Sequence, residues 1–296
     1  MNQKKKGIIS AVIAYIMWGL YPLYWRMLQT VGPTEILINR MFWSFITLLL
    51  FLIGFNKISS LVQTVKSIVN NKKKLILLIC AAALLGTNWF IFTYAIVSGR
   101  IIEASLGYFI NPIFSIVIGV IVLKERLNQR AVLAVMIASL GVVYLTVSYG
   151  ILPWISLLLA VTWGFYALIK KILSIEPFQG LFLETLIMLP VSGFFFFSTL
   201  IEGTSAFSQN NFIYIILLIG AGFITVSPLY FFSKATRILP LSVIGFLQYI
   251  GPTLQLLVAV IFTGEELSSN RLISFLIIWI ACLVFSTSYF VEHKKN

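Results

Sequence analysis

Apolar runs of about 20 residues recur roughly ten times along the chain, separated by short segments that carry most of its charge. A helix of that length spans a hydrocarbon core of about 30 Å. Lipid offers a peptide group no hydrogen-bond partner, so the chain must cross it as helices or as a closed barrel. The runs lack the period of two that barrel strands require, which leaves helices. They fall near 8–28, 34–54, 75–97, 103–123, 131–149, 152–171, 179–200, 212–233, 241–262 and 272–291. Composition agrees: 10% of residues are charged, against about 25% in soluble domains.

Charge sets the expected orientation. With a cytoplasmic start, the inner segments collect seventeen of the 21 Lys and Arg residues, from Lys4–Lys6 through Lys72–Lys74, Lys124, Lys170 and Lys234 to Lys294 and Lys295. Arg26, Arg100 and Arg271 fall outside and Arg40 lies within a span, so the positive-inside rule puts both termini in the cytoplasm. The net charge of +12 thus reports topology, and the scattered lysines do not form a nucleic-acid patch. The first run follows a basic segment as a signal peptide would. Its Trp18, Tyr21, Pro22 and Trp25 leave no small-residue cleavage site, so it is read as a retained span.

The chain is also duplicated. Trp18-Gly19-Leu20-Tyr21 recurs 145 residues later as Trp163-Gly164-Phe165-Tyr166. Asn111-Pro112 followed by Glu125 and Leu127 recurs 140 residues later as Gly251-Pro252 followed by Glu265 and Leu267. Five spans per copy is an odd number, so the second copy enters the membrane from the opposite side. The expected fold is an all-α integral membrane protein of ten transmembrane helices in two inverted five-helix repeats, 1–149 and 150–296. Transporters built this way place substrate near the midplane, where the repeats meet.

Within residues 57–71, Ile58, Leu61, Val62, Val65, Ile68 and Val69 recur at helical spacing opposite a polar face, as in an amphipathic helix anchored at the cytoplasmic interface. The loop 203–211 reads as polar, flexible and external.

The residue inventory excludes most catalysis. There is no aspartate, and the single histidine, His293, lies in the charged tail, so neither a zinc cluster nor a hydrolytic triad can be assembled. Cys80 and Cys282 sit in separate spans and read as small hydrophobes. No phosphate-binding glycine loop occurs, so ATP does not drive the protein directly. No catalytic residue, metal or cofactor is expected.

Two charges lie well inside spans. Arg40 follows Pro33 by seven residues and Glu184 follows Pro177 by seven, so they occupy corresponding positions of the two repeats, at opposite depths. A rise of 1.5 Å per residue separates them by roughly 10 Å, too far to pair. Glu103 is the expected partner of Arg40, and Lys170, Lys171 or Arg237 that of Glu184. Two readings stay open for Arg40, Glu103 and Glu184: static ion pairs that pin helices, or gate and coupling charges, proton coupling included.

Neutral polar and aromatic residues near mid-span mark the expected substrate path. Tryptophan favours the interfaces, yet Trp18, Trp89 and Trp163 fall near span centres. With Tyr21, Asn88, Tyr108, Asn111, Tyr166 and Gln248 they form the expected lining of a central cavity. Pro22, Pro112, Pro228 and Pro252 each free a carbonyl one turn back and are the candidate kinks beside it.

The segments Trp18-Gly19, Pro22-Leu23-Tyr24-Trp25, Asn88-Trp89, Ser98-Gly99-Arg100 through Asn111-Pro112, Lys124-Glu125-Arg126-Leu127 and Phe246 through Thr253 together resemble the drug/metabolite transporter superfamily. Within it they resemble the EamA type with two five-helix repeats, and more closely its RarD branch, named for chloramphenicol sensitivity. The resemblance implies a bacterial inner-membrane transporter, an exporter or permease working by alternating access. Amino-acid-like metabolites and chloramphenicol-like drugs are the solutes it suggests. Small multidrug members carry a glutamate in their first helix; the first span here has no acid, so their exchange mechanism does not transfer. The leading expectation is a secondary transporter of small amphipathic solutes, with membrane lipid and the solute as its partners. A receptor, scaffold or lipid-handling protein on the same bundle is the alternative, and the sequence sets no oligomeric state. Midplane amides and rings suit a neutral or zwitterionic aromatic solute, and a strongly charged one is disfavoured for want of a central counter-charge.

Overall fold

All ten spans are helical in the computed structural model, which describes residues 3–150, 153–209, 211–263 and 268–293. The helices are α1 (Gln3–Arg26), α2 (Pro33–Gly54), α3 (Ile58–Val69), α4 (Lys72–Val97), α5 (Ile101–Ile121), α6 (Gln129–Tyr149), α7 (Trp154–Leu173), α8 (Pro177–Ile201), α9 (Phe212–Ile238), α10 (Leu241–Gln248), α11 (Ile250–Val258) and α12 (Ser269–His293). Helices α10 and α11, broken at Tyr249 and continued by a π-helical turn at Ala259–Thr263, make a single span. The second member of the Glu125/Glu265 motif, with Glu266 and Leu267, lies outside the described residues, as do Lys294 and Lys295.

Starts follow from local chemistry. Pro33 and Pro177, the equivalent prolines of the two repeats, open α2 and α8, where a missing N–H costs nothing. Asn71, Asn128 and Asn211 accept from the first-turn amides of α4, α6 and α9, satisfying donors that a helix leaves free.

The packing is two-fold. Helix α5 lies on α7 as α11 lies on α1; α4 on α7 as α9 on α1; α2 on α9 as α8 on α4. The pairs α2–α8, α6–α12 and α5–α10 close on themselves. Exchanging the first five spans for the last five returns these contacts, as inverted repeats require.

The connections obey the same exchange. Helix α3 buries Leu61 and Ile68 and docks on the start of α8: Gln179 Nε2 donates to Ser60 Oγ at 2.8 Å, Thr64 Oγ1 donates to Gln179 Oε1 at 2.6 Å, and Lys57 pairs with Glu176 at 2.9 Å. At the opposite end, the α8–α9 connection folds onto the start of α2, where Glu35 Oε1 accepts from Ser205 Oγ at 2.8 Å and Ala206 N at 2.6 Å. The segment read as a flexible loop therefore holds a short 3-10 turn, Ala206–Gln209, fixed by a carboxylate the sequence reading left unassigned.

Helix packing in lipid relies on small residues that let backbones approach. The duplicated glycines do this. A Cβ on Gly19 would stand 2.5 Å from Leu254 Cβ, and one on Gly164 would stand 2.5 Å from Phe114 Cδ1. They set the equivalent α1–α11 and α7–α5 contacts. Gly19→Val and Gly164→Val should each destabilise the bundle by about 1–3 kcal/mol, the usual cost of overpacking. Thermal unfolding in detergent measures it, and unchanged stability in both variants would remove these contacts from the packing.

Candidate functional site

A cavity of about 220 Å³ lies where the repeats meet. Its lining comes from Tyr15 to Trp25 of α1, Arg40 of α2, Asn88, Trp89 and Phe92 of α4, Ala104 to Asn111 of α5, Leu159 and Trp163 of α7, and Gln248 to Gln255 of the α10–α11 span. These are the late turns of α1 and α4 and the early turns of α2, α5 and α7. The cavity thus occupies the half of the bundle away from the chain termini.

Of the nine residues expected to line it, Trp18, Tyr21, Asn88, Trp89, Tyr108, Asn111, Trp163 and Gln248 do so. Tyr166 is outside: fully buried, its hydroxyl donates to Glu184 Oε2 at 2.9 Å. The inversion explains this. Tyr21 and Tyr166 are equivalent positions of opposed repeats, so they lie at opposite depths and a cavity confined to one half takes only one. Trp18 and Trp163 sit near the axis, edge to face at 5.3 Å. They close the inner end of the cavity lining, and Phe232, 5.7 Å from Trp18 and 4.9 Å from Trp163, packs against both rings outside it. Phe232 carried no signal within an apolar run.

The prolines show how freed carbonyls are met. Pro22 lacks the N–H that would bond Trp18 O, and Gln255 Nε2 donates to that oxygen at 3.2 Å. Pro228 likewise frees Ile224 O, which accepts from Tyr21 Oη at 2.7 Å. Both bonds cross between repeats and fix cavity-lining side chains. Helices α1, α5 and α9 run through Pro22, Pro112 and Pro228, while the span holding Pro252 is interrupted at Tyr249. Gln255 was missed in sequence, although it lies two turns beyond Gln248 on the same helical face.

Several polar groups in the wall are unspent. Asn88 Nδ2 donates to Leu159 O at 3.0 Å and to Thr162 Oγ1 at 2.8 Å, joining α4 to α7. Asn111 Oδ1, Gln248 Oε1 and Trp163 Nε1 are buried with no hydrogen-bond partner among the described residues. Such groups cost about 1–3 kcal/mol each when left unmade.

The charges depart from the expected pairing. Glu103 does not reach Arg40; it pairs with Arg100 at 2.5 Å, three residues back, and Arg100 also lies 4.7 Å over the Trp154 ring. Arg100 and Glu103 share the start of α5, so the local pair forms first. Arg40 lines the cavity instead. Its Nε donates to Thr225 Oγ1 at 3.2 Å, and its guanidinium lies 5.0 Å and 5.1 Å from the Trp25 and Trp89 ring centroids. No carboxylate among the described residues pairs with it. The expectation that the cavity lacks a charge is thereby corrected, and the Trp25 and Trp89 rings flank that charge.

The equivalent place in the second repeat is sealed. Lys170 Nζ meets Glu184 Oε1 at 2.6 Å, with both side chains buried, and Tyr166 takes the other carboxylate oxygen. Nearby, Lys171 Nζ donates to Leu239 O at 2.5 Å, and Glu125 accepts from Leu241 N at 2.7 Å, Ser242 N at 2.9 Å and Ser242 Oγ at 2.8 Å. The Glu125 bonds join the repeats at the end that carries the chain termini, while those of Lys170, Tyr166 and Lys171 stay within the second repeat. The duplication of Glu125 was visible in sequence; its acceptance of the first amides of α10 was not.

The chain matches the EamA-like transporter family over residues 5–147 and 151–287. It belongs to that family. Among relatives of this EamA chain, protein RarD of Salmonella typhi is 38% identical over 295 residues, covering 100% of this chain and 99% of that one. Protein RarD of Escherichia coli K12 is 38% identical over 96% and 95% of the two chains. The uncharacterized transporter YojE of Bacillus subtilis 168 is 38% identical over 97% and 95%. A crystal structure 14% identical in sequence superposes with a TM-score of 0.71 over 94% of this chain and 96% of its own, which speaks for the fold alone. The protein is a RarD-type EamA member and a multi-pass membrane transporter.

In this EamA bundle the Lys170–Glu184 pair is buried on both sides, so removing one partner strands a charge at about 3–5 kcal/mol. Lys170→Met alone should lower stability strongly, and the double variant Lys170→Met with Glu184→Gln should recover most of the loss. A thermal-unfolding double-mutant cycle in detergent checks this. Additive losses would show that the two residues do not act as a pair.

Proposed function

We propose that this RarD-type transporter moves small amphipathic organic solutes by alternating access, with the cavity as its substrate site. The observation that carries the reading is the cavity itself. It sits at the repeat interface, has walls of aromatic rings with a few convergent polar groups, and stops at a closed opposite half, which is the form small-molecule sites take. Trp18, Tyr21, Asn88, Trp89, Tyr108, Asn111, Trp163 and Gln248 form the substrate path in the state described. Residues 1–149 and 150–296 act as the two rocking repeats.

With both termini in the cytoplasm, as the basic segments favour, the cavity belongs to the outward half and the Lys170–Glu184 end is the closed inner gate. Glu184 and Lys170 then serve as gate charges, held in a static pair in this state. Amino-acid-like metabolites and chloramphenicol-like drugs are the solutes the RarD relationship suggests. The missing aspartate and single tail histidine speak against an enzyme. A receptor or lipid-handling role would leave a cavity of this kind without flux.

Flux in proteoliposomes containing only this protein tests the reading. Solute uptake or efflux should depend on the protein, and Gln248→Ala, whose side chain makes no packing-critical bond, should reduce it at least about tenfold if the unspent oxygen binds solute at about 1.4 kcal/mol. Binding without flux for every solute of this class would favour the receptor reading.

A further inference from the structure

We propose that Arg40 is the anion anchor of the cavity and that the solute it accepts is an organic carboxylate with an apolar or aromatic body. The inference rests on the reading of the cavity as a solute site and names the chemistry that site selects.

Among the described residues Arg40 is the one charged side chain lining the cavity. Its Nε is occupied by Thr225 Oγ1, while neither terminal nitrogen has a hydrogen-bond acceptor among the described residues. A half-buried cation at this depth is costly unless compensated. The carboxylate expected for it, Glu103, pairs with Arg100 instead. The indoles of Trp25 and Trp89, at 5.0 Å and 5.1 Å, clamp the guanidinium. They supply partial compensation through their ring faces and fix its orientation, but they accept none of its remaining N–H groups. What is missing is a planar pair of acceptor oxygens, which a carboxylate provides to a guanidinium fork.

Charge count narrows the class. One guanidinium balances one negative charge, whereas a phosphate monoester carries roughly two near neutral pH, and no second cation among the described residues lines the cavity. The remaining wall supplies the other end of the match. Trp18, Trp163 and Tyr108 offer ring surface, and the unpartnered oxygens of Asn111 and Gln248 suit a hydroxyl or ammonium donor on the solute. The equivalent position in the other repeat supports a specific role for Arg40: there Glu184 is fully matched by Lys170 and Tyr166, so a buried charge at this position is compensated wherever the half is closed.

Tryptophan-fluorescence titration of the purified full chain with four probes tests the proposal: 3-phenylpropionate, 3-phenylpropanol, phenethylamine and inorganic phosphate. The acid should bind at least about tenfold more tightly than the alcohol, and neither the amine nor phosphate should compete. Arg40→Gln should abolish the preference for acid over alcohol, leaving alcohol binding within about threefold. Arg40→Lys, which keeps the charge and loses the fork, should retain the preference with weaker affinity. Thermal unfolding identifies any variant that fails to fold, in which case Arg40→Lys decides.

Equal binding of acid and alcohol, tighter binding of amine or phosphate, a preserved preference in Arg40→Gln, its loss in folded Arg40→Lys, or no saturable binding of any phenyl probe would each overturn the proposal. Parallel flux measurements separate the two claims. Arg40-dependent acid binding without flux removes the transport reading and leaves the anchor; acid flux that survives Arg40→Gln undiminished removes the anchor and leaves transport.

Discussion

The buried Lys170–Glu184 pair is the constraint on which the rest of the arrangement depends. Two ions taken out of water repay that cost only when geometry is good and the remaining valences are filled. Here the carboxylate has Lys170 on one oxygen and Tyr166 on the other. That closed cluster holds α7 against α8, and Lys171 adds a bridge from α7 to the end of α9. The inverted equivalents in the first repeat, Arg40 and Tyr21, are not joined in this way. There α1 and α4 stand on separate walls of the cavity. One chemical design, used twice at opposite depths, is thus closed at one end and open at the other.

That asymmetry is what an alternating-access cycle requires, since two nearly equivalent halves differ little in energy and can exchange roles. The aromatic cluster of Trp18, Trp163 and Phe232 lies between them, and rings that meet edge to face, as Trp18 meets the other two, can shift without losing burial. In the proposed cycle the cross-repeat bonds of Tyr21 to Ile224 O and Gln255 to Trp18 O would serve as pivots, at carbonyls already freed by proline.

Much of this was legible in sequence because lipid removes alternatives. Apolar length gave the spans, and the duplicated Trp-Gly and Pro motifs gave the inverted repeats. The mid-span tryptophans and amides lie together because an interior ring or amide in lipid needs a protein neighbour. Three features were hidden. Arg40 was assigned to Glu103 because both lie at comparable depth, and only the local geometry of Arg100 shows that this carboxylate is already taken. Tyr166 was grouped with Tyr21 by symmetry of sequence, although inversion separates them in depth. Phe232 and Tyr15 are indistinguishable from packing residues until the helices are assembled. Spacing fixes depth along one helix; it does not fix which neighbour occupies the other side.

The central claim is that the open and sealed ends exchange. Spin-label pairs between the repeats, on α1 and α7, read it most directly: Met27 with Leu157 at the cavity end, and Lys5 with Ile172 at the sealed end, all four solvent- or lipid-exposed positions. Pulsed electron–electron distances in lipid nanodiscs should show two populations at each pair that shift in opposite directions when a solute is added. A single, solute-independent distance at both ends, or changes of the same sign at both, would contradict the account.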